Sequence, residues 1–136
     1  MSKLLVLVAA LSLAACAGTM SGGSTINVSL SGTQEVPPVS ASGSGSGGFT
    51  IGEDGSVTGS VTTTGVEGTM AHIHMGARGT NGPVIVPFTK DGNTYSAPPG
   101  AKLNEAQMQA FKAGNLYVNV HTNRNKGGEV RGQLQP

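Results

Sequence analysis

This chain has only three histidines, and two of them stand two apart in Met70-Ala71-His72-Ile73-His74-Met75-Gly76. Neutral imidazole is a good ligand for zinc and copper, so their placement is the first question. On a β-strand, side chains two apart share a face. The alternation predicts that His72 and His74 project together with Met70, while Ala71, Ile73 and Met75 point the other way. The third histidine ends a second alternating run, Leu116-Tyr117-Val118-Asn119-Val120-His121. There Leu116, Val118 and Val120 form the apolar face, and Tyr117, Asn119 and His121 the polar one. Two such strands brought together would converge three imidazoles, a preorganised site for one transition-metal ion. At a given nitrogen site the Irving–Williams order favours copper over zinc, and a thioether from Met70 would favour Cu(I).

Metal-bound histidines usually donate their second nitrogen to a carboxylate or carbonyl. Glu129, on the polar face of the run that follows His121, is the expected acceptor, with Arg131 and Tyr117 as further neighbours of the site. A plainer reading stands beside this one. The histidines can be hydrogen-bonded members of a structural network with Asn119, Glu129 and Arg131, of the kind that must be fully satisfied when buried. In that reading Glu129 and Arg131 are an ion pair and Tyr117 simply packs.

The elements that must position these groups are short strands. Ile26, Val28 and Leu30 alternate with polar residues, and Val36-Pro37-Pro38 ends that pairing or sits on an edge because proline lacks an amide donor. Residues 40–48 are low in complexity. They contain a formal G-x-G-x-x-G, but Phe49-Thr50-Ile51 follows as a strand and not a helix, so no dinucleotide fingerprint is present. A turn at Gly52-Glu53-Asp54-Gly55 leads back through residues 56–64, and residues 76–83 are a loop dense in turn signals. Residues 84–88 form another strand, turned at residues 90–93. The one helix expected spans 105–113, with Asn104 as its cap, Gln107 closing a capping box, and Gly114 as its stop. Residues 116–122 and 129–134 form the last hairpin. About seven short strands, one brief helix and 22 glycines predict an all-β, antiparallel sandwich or barrel.

At 136 residues the chain holds one domain, and 8 basic against 7 acidic residues give no footprint for nucleic acid. Lys3 and the apolar run 4–13 read as a targeting signal too short to span a bilayer. It ends in Leu13-Ala14-Ala15-Cys16, which resembles the lipobox of bacterial lipoproteins. That resemblance implies cleavage of a signal peptide at 1–15, lipidation of Cys16 and a location in the bacterial cell envelope. Residues 16–25 would then be a flexible tether and 26–136 the domain. Cys16 is the only cysteine, so no intrachain disulfide can form.

Four blocks carry a wider resemblance. They are Leu30-Ser31-Gly32-Thr33-Gln34-Glu35-Val36-Pro37-Pro38; the Ala71–Gly76 run with Gly79-Thr80-Asn81-Gly82-Pro83; the Leu116–Thr122 run; and Gly128-Glu129-Val130-Arg131-Gly132-Gln133-Leu134. In this order they resemble the CHRD domain, named after chordin and found also in microbial secreted proteins. The H-x-H strand is also similar to the copper-ligand strand of the copper/zinc superoxide dismutase sandwich. That resemblance implies an immunoglobulin-like or dismutase-like β-sandwich. The likeness stops there, since those enzymes use more histidines and a disulfide. With no Ser-His-Asp order, no paired carboxylates near a histidine and no phosphate loop, the expectation is a binding protein and not an enzyme; a dismutase-like redox activity is the one catalytic reading left open. Two functions follow: an envelope-anchored module binding copper or zinc, or an adhesive scaffold facing an envelope protein.

Overall fold

The computed structural model describes residues 22–136. The expected signal peptide, Cys16 and most of the expected tether lie outside the described residues. Nine strands and one helix follow in order: β1 (Ser24–Ser31), β2 (Ser44–Ile51), β3 (Val57–Thr64), β4 (Gly68–Met75), β5 (Val84–Pro87), β6 (Thr89–Asp91), β7 (Thr94–Ser96), α1 (Glu105–Lys112), β8 (Leu116–Thr122) and β9 (Val130–Leu134). The fold is all-β and antiparallel, as the alternating runs predict. β1 starts at Ser24, so the last two residues of the expected tether already belong to the sheet.

All nine strands join one sheet in the order β5-β4-β8-β9-β1-β2-β3-β7-β6. Its two edges, β5 and β6, are separated in the chain only by Phe88, whose amide donates to the Ala71 carbonyl of β4 at 3.0 Å. The sheet therefore curls into a nearly closed barrel, with residues 84–91 pairing first with β4 and then with β7. Closure leaves little unpaired strand edge, the usual liability of an open sheet.

Alternation decides what fills the barrel. Ile26, Val28 and Leu30 of β1, Ala71 and Ile73 of β4, Leu116, Val118 and Val120 of β8, and Val130 and Leu134 of β9 all point inward and are buried. Phe49 stacks on Phe88 across the interior with ring centroids 5.4 Å apart. The helix closes one end. Asn104 and Gln107 form the expected reciprocal capping box, and Phe111 with Leu103 plugs the barrel mouth. Each fully buried aliphatic side chain of this kind contributes roughly 1.5–3 kcal/mol.

The opposite face of β4, β8 and β9 is not left to solvent. Residues 32–43, 76–83 and 123–128 fold over it, and every residue of β8 and β9 is buried on both faces. The cover is pinned by polar contacts. Asn81 Nδ2 donates to the Val36 carbonyl at 2.8 Å, joining two of the covering loops, and Gln133 Nε2 donates to the carbonyls of Gly76 and Gly114 at 2.9 Å each. The candidate site lies in this second layer, outside the hydrocarbon core.

Candidate metal centre

The β4–β8 register sets Met70 opposite His121, His72 opposite Asn119 and His74 opposite Tyr117. With Ala71 and Ile73 turned into the core, all of these side chains share the outer face. The three imidazoles meet there, with ring centroids 4.9 Å apart for His72 and His121, 5.5 Å for His72 and His74, and 5.8 Å for His74 and His121. One ring nitrogen from each lies within 4.8 Å of the other two.

Hydrogen bonds assign the protons. His74 Nδ1 lies 2.9 Å from the Gly82 carbonyl, and His121 Nδ1 lies 2.8 Å from the Lys126 carbonyl. A carbonyl only accepts, so in both rings Nδ1 carries the hydrogen and Nε2 keeps the free lone pair. Backbone carbonyls thus take the orienting role usual around metal-binding histidines. His72 Nδ1 stands 3.0 Å from His121 Nε2, turned towards the other two rings. Since His121 Nε2 is an acceptor, His72 Nδ1 donates to it in the metal-free protein. His74 Nε2 is buried and makes no well-formed hydrogen bond, the Asn119 side chain being its one polar protein neighbour besides the other rings. An orphaned lone pair in a buried site is costly unless something occupies it.

The geometry suits a small cation. Two nitrogens bound at about 2.0–2.1 Å with angles near 90–109° stand about 2.9–3.4 Å apart, and the His72–His121 pair already does so. With the three nitrogens spread over 4.8 Å, His74 needs about 1.5 Å of closure. Electrostatics favour neutral ligands: burial first, then the neighbouring His121 and His74, pushes His72 down to about 4, and burial lowers His74 as well. Both rings therefore offer lone pairs at neutral pH.

The neighbours sort differently from the sequence expectation. Tyr117 stacks on His74, centroids 4.8 Å apart and planes 7° from parallel, and its hydroxyl accepts from the Gly82 amide at 3.1 Å. Arg131 lies on the other side of Tyr117, its guanidinium carbon 3.5 Å from the ring centroid. The His74–Tyr117–Arg131 stack is fixed by Arg131 bonds to Asn81, Ala77 and Gln133. Glu129 is elsewhere. Its Oε1 accepts from Thr122 Oγ1 and Asn125 Nδ2, because Glu129 precedes β9 and closes the turn of residues 123–128. That turn offers His121 a nearer acceptor, the Lys126 carbonyl, so neither the Glu129–His121 bond nor the Glu129–Arg131 ion pair forms.

The carboxyl on this face is Glu35, from the loop after β1. It is 4% exposed, with Oε1 buried and unpartnered. Burial pushes Glu35 up to about 7 against the pull of Arg131, the Asn119 amide and the Val36 amide. Gly128 makes room for it: a Cβ there would strike Glu35 Oε1 and Asn119 Nδ2, and its φ of +127° suits glycine alone. Nothing in the pattern Thr33-Gln34-Glu35-Val36-Pro37-Pro38 marks that glutamate as buried. The only hint is a charged residue in a stretch otherwise built of small, uncharged and proline residues. The carbonyls of Gly82 and Lys126 carry no sequence signal either, since any residue supplies one.

No curated protein and no solved structure matches this chain. A family comparison does. Residues 26–134, nearly the whole described barrel and all four blocks that carry the resemblance, match the CHRD domain, and the chain belongs to that family.

Proposed function

We propose that this CHRD domain is an extracytoplasmic binding protein that takes up one transition-metal ion, copper in preference to zinc, through His72, His74 and His121. The observation that supports it is the buried Nε2 of His74, without a well-formed hydrogen bond, on one of three rings that each bring a nitrogen within 4.8 Å of the other two. Imidazole donors suit copper and zinc, and copper stands above zinc in the affinity order for divalent ions. Besides the closure of His74, metal uptake needs one proton shift: His72 gives up its bond to His121 and carries its hydrogen on Nε2. Because His72 is half-buried, that atom can reach water.

The anchoring half of the proposal rests on Leu13-Ala14-Ala15-Cys16. Among the described residues no helix is long and apolar enough to cross a membrane. A diacylated Cys16 supplies the two chains that stable attachment needs, and β1 begins only eight residues further on.

A scaffold role for the same histidines has an observation of its own: the His74–Gly82 and His121–Lys126 bonds tie two covering loops to the sheet. One experiment separates the readings. The domain lacking residues 1–16 is titrated with Cu(II) and Zn(II) by calorimetry, alongside His72→Ala, His74→Ala and His121→Ala. The metal reading expects one ion per chain and weakened uptake in each variant. A folded domain that takes up no ion leaves the scaffold reading standing.

A further inference from the structure

The site is closed on one side and open on the other. His74 and His121, under the loops of residues 76–83 and 123–128, are 7% and 9% exposed. His72 is half-buried, and Met70 is 51% exposed. Met70 and Val84 are the only large hydrophobic residues so exposed among the described residues. A methionine in that position gains little from burial, which is what usually places this side chain.

Its register gives it another use. Met70 is the direct cross-strand partner of His121 and the next residue on the same face to His72. These are the two rings whose facing nitrogens stand 3.0 Å apart. Directly opposed residues of an antiparallel pair have Cβ atoms about 4.5–5.5 Å apart, and methionine adds three rotatable bonds to that reach. The thioether is therefore the side chain best placed to approach the pair from the open side. The β4–β8 register is unbroken from Met70 to Met75, the bulge falling before Met70, so this juxtaposition is a property of the strand pairing.

We propose that Met70 Sδ is the fourth, solvent-side ligand of the three-histidine site and adapts it to Cu(I). The inference rests on the metal reading above and adds the oxidation state and the selecting residue. A thioether is a soft donor that favours Cu(I), while imidazole serves Cu(I), Cu(II) and Zn(II) alike. A ligand on an exposed side chain with three rotatable bonds also leaves one position that can open, as an ion taken up from and returned to solvent requires.

The test uses the chain lacking residues 1–16, which keeps every described residue. Cu(I) affinity is measured anaerobically by competition with a chromophoric Cu(I) chelator, Zn(II) affinity by calorimetry, and X-ray absorption of the Cu(I) form shows whether sulfur is bound. Met70→Leu conserves volume at an exposed position, so the fold is kept. The expected result is a sulfur scatterer in the wild type that Met70→Leu lacks. Cu(I) affinity should fall by at least the ~10–100-fold typical of a lost supporting contact, while Zn(II) affinity stays within about threefold. Equal Cu(I) affinity in both proteins, or equal losses for Cu(I) and Zn(II), overturns the role of Met70 and leaves the histidine site standing. If the wild type binds no Cu(I), Cu(II) or Zn(II), the metal reading fails, and this proposal with it.

Discussion

Replacing Glu35 with Gln should change the slope of stability against pH, with a sign fixed by the structure. Glu35 is raised from 4.5 to about 7 in the folded protein, so between those values the folded state binds more protons than the unfolded state. Stability therefore falls as pH rises through that window. Each pH unit is worth about 1.4 kcal/mol, which sets a ceiling of ~3.5 kcal/mol. His72 works the other way. It is lowered from 6.5 to about 4, so the unfolded state binds more protons there and stability falls as pH drops from 6.5 towards 4. Since His72 is half-buried, solvent screening reduces its share to ~1–2 kcal/mol. In the metal-free wild type the Glu35 slope opposes that of His72, to which the likewise lowered His74 adds, between about pH 4.5 and 6.5, and only the Glu35 slope remains between 6.5 and 7. Glu35→Gln removes that slope. Its stability should rise with pH up to 6.5 and then level off, while that of the wild type declines towards pH 7. The assay is urea denaturation followed by circular dichroism from pH 4 to 8, with a chelator present throughout. A constant offset between the curves reflects packing of the new amide. Parallel curves across the whole range would refute the reasoning, since they would mean that Glu35 titrates like a solvated carboxyl.

Four further outcomes follow. Metal at a hundredfold excess over its dissociation constant should stabilise the domain by about 2.7 kcal/mol, seen as a rise in melting temperature that His74→Ala abolishes. Because His72 and His74 are both held below their ordinary range, proton competition at those two rings should set in well below pH 6.5, which calorimetric titrations at pH 7 and 5.5 would check. Gly128→Ala drives a methyl group into Glu35 and Asn119 at a left-handed φ, and denaturant unfolding should register a loss of at least ~1–3 kcal/mol. Cys16→Ser should release the protein from the membrane fraction or leave it unprocessed; unchanged attachment after fractionation counts against the lipobox.

The strands that carry the histidines were the most legible part of the sequence. β4 and β8 alternate strictly, and one face of each had to be apolar to fill a core. The same rule failed at the start of β2, where Ser44-Gly45-Ser46-Gly47-Gly48 has no apolar residue to betray a strand. Gly47 is there because the backbone of Ser60 and Val61 approaches too closely for a side chain. β6 was hidden for another reason: its three residues are all exposed, and tertiary closure of the barrel, not local pattern, makes them a strand. At the site, periodicity located the three imidazoles, but it could not say which loop would fold over them. Glu129 looked right because it lies in phase with the polar face. Glu35 is nearly a hundred residues away, and only the fold of residues 32–43 brings it there.

Because core and site occupy opposite faces of the same strands, residue by residue, the histidines also guard the pairing itself. A sheet with two similar faces tolerates a one-residue slip, and slipped pairings open the way to strand exchange and aggregation. Here a slip of β4 against β8 would carry His72 and His74 into hydrocarbon and turn Ala71 and Ile73 out among Arg131, Asn119 and Tyr117. Both layers would be wrong at once. The imidazoles therefore act as a proofreading mark for strand register, whether or not an ion is bound, and they do so in the two strands that meet at the centre of the covered face.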